Sequence, residues 1–347
     1  MSEYNLSEIK KDDRRGNRLM DELLRREGID RDGNLEYSLG LFDEDYNLVA
    51  TGSCFKNTLR CMAVDSSHQG EGLLNQVVTA LMDYQASRGI HELFLYTKCS
   101  SAKFFGDLGF YEIERVDGKV VFMENRRGGF AHYLDSLSEF KTAADAGAIV
   151  MNANPFTNGH LYLAEKAASR CGLLHIFVVS EDASLVPFDV RYELVRRGTE
   201  HLSNVVLHPS GSYIISSATF PSYFLKDSET VITSHARLDI RIFSRIAAAM
   251  GIKERFVGDE PLSLVTGIYN RIMAEELPAA GVKVTVIPRL EKDGSAISAS
   301  TVRSLIKKGD LEAIRPLVPE STYKYFISPS AAPVIDRIRS AGEVIHY

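Results

Sequence analysis

The fold of the larger part of the chain can be worked out from AGAIVMNANPFTNGHLYLAEKAASRCG, residues 146–172. The first six residues are apolar or small and predict a buried strand, a turn with Pro155 follows, and Thr157 opens a helical pattern. Similar strand candidates, each followed by a helical stretch, are AIVMNA, HIFVVS, NVVL, TVITS, RFVG and VTVI. Such alternation predicts repeated βαβ units on a parallel sheet.

The predicted helix start is a candidate phosphate site. Unpaired backbone N–H groups and the helix dipole favour an anion there, Gly159 lets a phosphate approach the chain, and Thr157 and His160 add polar groups. A second such start lies in SAISASTVRSLIKKGD, residues 295–310, where serine and threonine hydroxyls precede a helix that carries Arg303. Each segment taken singly also fits an ordinary capped helix with solvated side chains.

The first part of the chain has a different pattern. Up to residue 124 it holds strand-like runs with few helices between them (YSLGLFD, NLVATGSCF, TLRCMAV, LFLY and GKVVFME), which predicts a mixed sheet. Within it, CMAVDSSHQGEGLLNQVVTALMDYQASRG has the order strand, turn and helix, with Gly70 and Gly72 where the helix begins. We expect one domain over residues 1–124, a linker with a short helix around 132–140 over residues 125–146, and a second domain over residues 147–347.

Composition excludes several classes of protein. A length of 347 residues suits two domains, and 45% hydrophobic with 25% charged residues is typical of a globular protein. A net charge of −6 disfavours a general nucleic-acid binder, and the apolar runs are too short to span a membrane. The start, MSEYNLSEIKKDDRR, has no apolar stretch typical of a secretory signal, and the four cysteines show no metal-binding spacing. We therefore expect a cytoplasmic protein with reduced thiols and no metal centre.

Two family resemblances follow from these segments. The first part, with the turn at residues 67–72 and the later AKFFGDLGF, resembles the GNAT acetyltransferase fold, whose Q/R-x-x-G-x-G/A turn holds the pyrophosphate of coenzyme A. Ser67 stands where that family has Gln or Arg. PFTNGH and ISASTVR resemble the (H/T)-x-G-H and I-S-x-[ST]-x-[VI]-R motifs of nucleotidylyltransferases. The fold class implied is α/β: a GNAT-like mixed-sheet domain, then a Rossmann-like doubly wound domain whose ligands bind at the carboxyl ends of the strands.

The resemblances also imply roles for single residues. His160 and Thr157 would stabilise the transition state at the α-phosphate of ATP, and Ser298 and Arg303 would hold the β- and γ-phosphates. Further ATP-binding residues would be Asn152, Asn154, Phe156, Gly159, Gly258, Ser300 and Thr301. A coenzyme-A-like arm would lie against Gln69, Gly70 and Gly72. Mg²⁺ would accompany ATP. Phe156 has an alternative role in packing.

The order of the two domains, with RFVGDEPLSLVTGIYNRIM and VTVIPR before the second motif, is similar to the citrate lyase ligase family. That resemblance implies an AMP-forming acid–thiol ligase. Such an enzyme converts acetate and ATP to acetyl-adenylate and acetylates the thiol of the coenzyme-A-like group on the acyl carrier subunit of citrate lyase. Three alternatives stay open: an adenylyltransferase acting on a small phosphorylated cofactor precursor, a GNAT acetyltransferase with a regulatory nucleotide domain, and a non-catalytic ATP sensor.

Several charged residues allow only weaker hypotheses. Arg191, Arg196 and Arg197 could hold the incoming carrier protein, although such charges usually form the solvated face of a helix. Arg237, Asp239 and Arg241 could line an acetate pocket.

Overall fold

A computed structural model of the chain describes residues 4–180, 184–214, 220, 228–259, 264–292 and 294–341. The chain divides into two compact units, residues 1–132 with 219–234, and residues 133–218 with 235–347. No helix of the described residues is both long and apolar enough to cross a bilayer.

The first unit is built on a seven-stranded sheet in the order β1-β2-β3-β4-β5-β7-β6. Its elements are β1 (Asn5–Glu8), α1 (Arg14–Arg26), β2 (Tyr37–Phe42), β3 (Leu48–Phe55), β4 (Thr58–Val64), α2 (Leu73–Ser87), β5 (Phe94–Thr97), α3 (Ala102–Asp107), β6 (Tyr111–Val116) and β7 (Val120–Glu124). Strands β4 and β5 are parallel and pair over two positions, whereas the other neighbours are antiparallel. The predicted mixed sheet is confirmed.

Helix α2 packs against this sheet through the apolar side chains that gave its sequence a helical period. Val77, Val78 and Leu81 are buried in one core cluster with residues of β2, β3 and β4. Gly52 on β3 permits the close approach, because a Cβ atom there would lie 2.5 Å from Cγ1 of Val77. The packing fixes where α2 begins, directly after the turn that contains Gly70 and Gly72.

The second unit is built on a five-stranded parallel sheet in the order β10-β9-β8-β11-β12. The elements after β7 are α4 (Gly129–Ser138), β8 (Ala146–Met151), α5 (Asn158–Ala168), β9 (Leu173–Val178), α6 (Phe188–Gly198), β10 (Val205–Pro209), α7 (Ser228–Met250), β11 (Ile252–Gly258), α8 (Leu264–Ala279), β12 (Lys283–Ile287), β13 (Glu291–Lys292), β14 (Ser295–Ala296), α9 (Ala299–Lys308), α10 (Glu320–Phe326) and α11 (Ala332–Ser340). The strand order reverses between β8 and β11, so this is the doubly wound sheet that the sequence predicted. In such sheets, ligands bind at the carboxyl ends of the strands where the order reverses.

One predicted strand is wrong. TVITS lies within helix α7, although Thr, Val and Ile are β-branched and favour strands. Many residues further along the same helix are buried, and five of them follow one another at intervals of three or four positions: Ala236, Ile240, Phe243, Ala247 and Met250. Packing of this long apolar face stabilises the helix over local strand propensity.

Candidate active site

Helix α5 begins with a reciprocal cap between Thr157 and His160. The Thr157 hydroxyl accepts a hydrogen bond from the backbone N–H of His160 at 3.4 Å, and Nδ1 of His160 accepts one from the backbone N–H of Thr157 at 3.1 Å. The Thr157 hydroxyl also lies 2.9 Å from Nδ1 of His160. The arrangement follows the capping-box pattern, with histidine in the position usually held by Glu or Gln.

The cap determines which nitrogen of His160 carries the proton. A backbone N–H can only donate, so Nδ1 is the acceptor and the proton of the neutral ring lies on Nε2. Burial, followed by the positive charge of Arg289, lowers the pKa of His160 from 6.5 to about 4. At neutral pH the ring is therefore uncharged and has one N–H that the cap does not use.

Helix α9 begins with a cluster of three hydroxyl groups. Ser298 is the N-cap and accepts the backbone N–H of Thr301 at 3.1 Å. Its Oγ lies 2.8 Å from the hydroxyl oxygens of both Ser300 and Thr301. The same helix start therefore presents backbone donors and hydroxyl donors, which are suited to phosphate oxygens.

The structure brings these two helix starts together. A Cβ atom on Gly159 would lie 3.0 Å from the carbonyl oxygen of Ile297, the residue before the Ser298 cap. Glycine thus allows the close approach of another chain segment, a reason that the sequence did not reveal. Arg303 of α9 donates from Nη1 to the carbonyl oxygen of Asn154 at 2.5 Å, which joins α9 to the loop before α5.

Arg303 keeps part of its guanidinium available. Its Nε is buried and has no hydrogen-bond partner within the described part of the chain, and burial lowers the pKa of Arg303. An unpaired buried donor on a cation is costly unless a ligand or water satisfies it. An anion held at these two helix starts is a suitable partner.

The loop between β8 and α5 is held on its other side by residues before α6. Oδ1 of Asn152 accepts the Ser184 hydroxyl at 3.0 Å, and Oδ1 of Asn154 accepts the backbone N–H of Val186 at 3.0 Å. Around Gly258, at the end of β11, no atom of the described residues lies within 4 Å of the position a Cβ would take. Both asparagines have one side-chain acceptor already engaged.

Phe156 was expected among the ATP-binding residues, and the structure shows which groups its ring contacts. Its side chain is fully buried and has no surface to offer a ligand. It packs so closely against Gly198 that a Cβ there would lie 2.4 Å from Cε1 of Phe156, and it stacks on the His160 ring at 5.9 Å between centroids. Phe156 therefore packs against the His160 ring, in line with the alternative role in packing.

The turn before α2 in the first unit is open. Gly70 and Gly72 have φ angles of 89° and 75°, which favour glycine, and in the described part of the chain no atom lies within 4 Å of either added Cβ. Gly72 is the N-cap of α2 and makes no side-chain cap bond, and Gln69 beside it is exposed. The polar side chains nearby contact one another: the Tyr4 hydroxyl donates to Glu71 and lies 3.2 Å from Nδ1 of His68.

Among the weaker candidates, the three arginines of α6 differ. Arg196 and Arg197 are exposed and pair with Glu193, as expected for a solvated face. Arg191 is fully buried, so the hypothesis that it contacts a carrier protein is wrong.

The residues proposed for an acetate pocket are also engaged. Arg237 and Arg241 both lie beside Glu276, with Nε–O distances of 3.4 and 3.5 Å. Asp239 is buried and accepts the Tyr269 hydroxyl. The acetate pocket stays a prediction.

Arg289 is a residue of the site that sequence reasoning did not single out. It lies just beyond the end of β12, and its charge acts on His160. Its position after the last strand of the parallel sheet, in VTVIPR, was the available signal.

Three of the cysteine thiols have raised pKa values. Burial raises the pKa of the Cys54 thiol to about 11 and that of Cys61 to about 12, and it also raises the pKa of Cys171. These thiols are therefore protonated at neutral pH. Over the described ranges, no group of three or more His, Cys, Asp or Glu side chains could hold a metal ion.

Comparisons with known proteins point to one family. Residues 146–326 match the family model described as the citrate lyase ligase C-terminal domain. The chain is similar to the citrate (pro-3S)-lyase ligase of Klebsiella pneumoniae, with 39% identity over 314 residues, covering 89% of this chain and 92% of the relative. It is 40% identical over 288 residues to the ligase of the same name from Escherichia coli K12, covering 81% of this chain and 82% of that protein.

Solved structures match a smaller part of the chain. A GNAT family acetyltransferase from Staphylococcus aureus Mu50 covers 36% of this chain and 100% of its own, at 17% identity and a TM-score of 0.31. The glucosamine-6-phosphate N-acetyltransferase of Arabidopsis thaliana covers 34% of this chain and 97% of its own, at 19% identity and a TM-score of 0.28.

Proposed function

Since the chain belongs to the citrate lyase ligase family, we propose that it uses ATP to activate acetate and then acetylates citrate lyase. The acceptor in this proposal is the thiol of the coenzyme-A-like prosthetic group on the acyl carrier subunit, and AMP and pyrophosphate are released. The observation that carries the adenylation step is the meeting of the two helix starts, with Ile297 against Gly159 and Arg303 on the carbonyl of Asn154.

In the first step an acetate oxygen attacks the α-phosphorus of ATP, the bond to the bridging oxygen breaks, and pyrophosphate leaves with the electron pair. The enzyme contributes positioning and donors aimed at the charge that develops on the α-phosphate. The Nε2–H of neutral His160 is the donor we assign to that phosphate. Thr157 is buried with its hydroxyl engaged in the cap, so it acts by orienting His160.

The leaving pyrophosphate belongs at the start of α9 in this proposal. Ser298, Ser300 and Thr301 offer hydroxyls and backbone N–H groups there, and the unpartnered Nε of Arg303 adds a charge-assisted donor. Asn152, Asn154, Gly159 and Gly258 line the loop and strand ends where the rest of the nucleotide would lie. Because these helix starts are built from donors, they suit phosphate oxygens, and Mg²⁺ would be carried by those oxygens and neutralise part of their charge.

In the second step the carrier thiolate attacks the carbonyl carbon of acetyl-adenylate, and AMP leaves. The thiol comes from the partner, which fits the raised pKa values of Cys54 and Cys61. The turn at Gly70 and Gly72 is the proposed cradle for phosphates of the coenzyme-A-like arm, because its backbone is open and α2 lacks a side-chain cap.

The test is exchange of labelled pyrophosphate into ATP by the full-length enzyme, with and without acetate. The proposal expects exchange that requires acetate and falls by a factor of about 100 or more in His160→Ala, by analogy with the loss of one oriented donor at a developing charge. Exchange without acetate dependence would contradict the ligase assignment. Equal exchange in wild type and His160→Ala would remove His160 from the catalytic residues.

A further inference from the structure

Arg191 is a buried cation at the carboxyl ends of the parallel strands, where the nucleotide is proposed to bind. It lies on α6, its side chain is fully buried, and its guanidinium carbon is 5.7 Å from the ring centroid of Phe188. A fully buried arginine is uncommon, and it is stable only when its donors are satisfied. Its bonding partners therefore indicate what the residue does.

Among the described contacts of Arg191, three are with backbone carbonyls from separate segments. Nη1 of Arg191 donates to the carbonyl oxygen of Asn152 at 2.8 Å and to that of Val179 at 2.7 Å, and Nε donates to that of Val186 at 2.9 Å. Asn152 and Val179 directly follow the last residues of the neighbouring strands β8 and β9. One guanidinium thus fixes the chain where two adjacent strands end.

The same contacts reach the residues that we assign to phosphate binding. Val186, whose carbonyl accepts from Arg191, donates its own N–H to Oδ1 of Asn154. Asn154 in turn accepts Nη1 of Arg303 at its carbonyl oxygen. Hydrogen bonds therefore connect Arg191 through Val186 and Asn154 to Arg303.

The electrostatic consequence favours anions at this edge. Carbonyl oxygens at the ends of β8 and β9 carry partial negative charge, and a phosphate near them would be repelled. The positively charged guanidinium of Arg191 binds these oxygens and offsets their partial negative charge. Because Arg191 is buried, solvent screens its charge only weakly. The guanidinium geometry matters as well as the charge, because a lysine ammonium cannot reproduce a planar fork that reaches three carbonyls.

We propose that Arg191 is a positioning residue for ATP: it holds the loop from Asn152 to Asn154 in the conformation that binds phosphate and offsets the negative dipoles at the strand ends. The inference rests on the proposed function for the identity of the nucleotide. Arg191 does not touch the ligand in this account and acts through the carbonyls that it binds.

The test compares Arg191→Met and Arg191→Lys with Arg197→Met, an exposed arginine of the same helix that pairs with Glu193. For each full-length variant, binding of a fluorescent ATP analogue is titrated without acetate, KM for ATP and for acetate is measured by pyrophosphate exchange, and Tm is recorded. We expect Arg191→Met to raise both the Kd of the analogue and the KM for ATP about tenfold or more, corresponding to loss of roughly one charge-assisted bond. Arg191→Lys should lie between Met and wild type, KM for acetate should change less than about twofold, and Arg197→Met should match wild type.

A purely structural role gives a different result. It would lower Tm and the maximal rate while the folded fraction kept the wild-type KM for ATP and the wild-type Kd of the analogue, and that outcome overturns the proposal. If Arg191→Met does not fold, Arg191→Lys decides the question, since unchanged ATP binding in that variant also overturns it. Failure of the proposed function is separable, because a wild-type enzyme without acetate-dependent exchange still permits the analogue titration.

Discussion

Helices α2 and α5 both begin after a strand and a connecting loop, but their first turns are closed differently. Gly72 caps α2 with a left-handed backbone and no side-chain bond, so the first N–H groups of the helix lack a side-chain cap. Thr157 caps α5 through a reciprocal bond with His160 that orients the imidazole ring. In the function that we propose, one helix start binds an anion through its backbone, while the other uses its cap to position the side chain assigned to catalysis.

We expect the largest loss of activity from replacing Arg303, the α9 side chain that contacts the loop before α5. Arg303→Met removes the bond to the Asn154 carbonyl and the free Nε donor. We expect kcat/KM for ATP in the exchange assay to fall by a factor of about 100, because each charge-assisted bond contributes roughly 1.5–3 kcal/mol. Lys308→Met, an exposed change in the last turn of the same helix, is the control. A loss of less than threefold relative to that control would break the proposed link between α9 and α5.

The two units also differ in the burial of their histidines, which affects how the stability of the protein depends on pH. His68 beside the α2 turn is partly exposed, whereas His175 and His208 of the second unit are buried and hydrogen-bonded to each other at 3.0 Å. Burial lowers the pKa of both from 6.5 to about 4. The unfolded chain therefore binds protons that the folded chain does not, and the stability present above pH 6.5 is lost as the pH falls toward 4.

From pH 7 to pH 5, each of these two histidines should lower the free energy of unfolding by roughly 2 kcal/mol. Urea titrations at the two pH values measure the change, with His201→Ala, an exposed histidine of the same unit, as the control. Equal stability of the wild type at both pH values would contradict the burial of a neutral pair.

A smaller change in kcat/KM for ATP is expected when Gly159 or Gly72 is replaced by alanine, and the two variants should differ. In Gly159→Ala the new Cβ meets the Ile297 carbonyl at 3.0 Å, so α5 and α9 must shift apart. In Gly72→Ala the Cβ meets no atom within 4 Å, although the φ of 75° strains the backbone by about 1 kcal/mol. We expect about a tenfold loss of kcat/KM for ATP in Gly159→Ala, since small misplacements of donors reduce rates by that order or more. Gly72→Ala should exchange pyrophosphate as the wild type does but have a lower Tm. The reverse pattern would show that the two turns have been assigned the wrong roles.

Much of this site could be predicted because its signals are local. Thr157 and Ser298 stand at the two helix starts that the sequence predicts, and both are N-cap residues in the structure. The strand before Thr157, β8, is the apolar run AGAIVM. The contacts between the two helix starts could not be predicted, because Gly159 and Ile297 lie far apart in the chain and no local pattern records which carbonyl will approach which glycine.

The errors have the same origin. In the sequence, Arg191 looks like one of several charged residues on the solvated face of a helix. It is buried because its guanidinium binds the carbonyl oxygens that follow β8 and β9, far away in the sequence. TVITS has strand-forming residues, yet tertiary packing of the later turns of α7 decides its conformation. In each case the competing interaction is long-range.

The central claim is that adenylate formation depends on the α5 start and thiol transfer on the α2 turn. The most direct test measures acetate-dependent pyrophosphate exchange and acetylation of the thiol-form carrier in parallel for wild type, His160→Ala and Gly72→Glu. Gly118→Glu, at a turn glycine with a φ of 67°, controls for backbone strain. We predict that His160→Ala loses both reactions, whereas Gly72→Glu keeps exchange and has a weaker apparent affinity for the carrier. Unchanged carrier affinity in Gly72→Glu, or exchange that survives in His160→Ala, would contradict it.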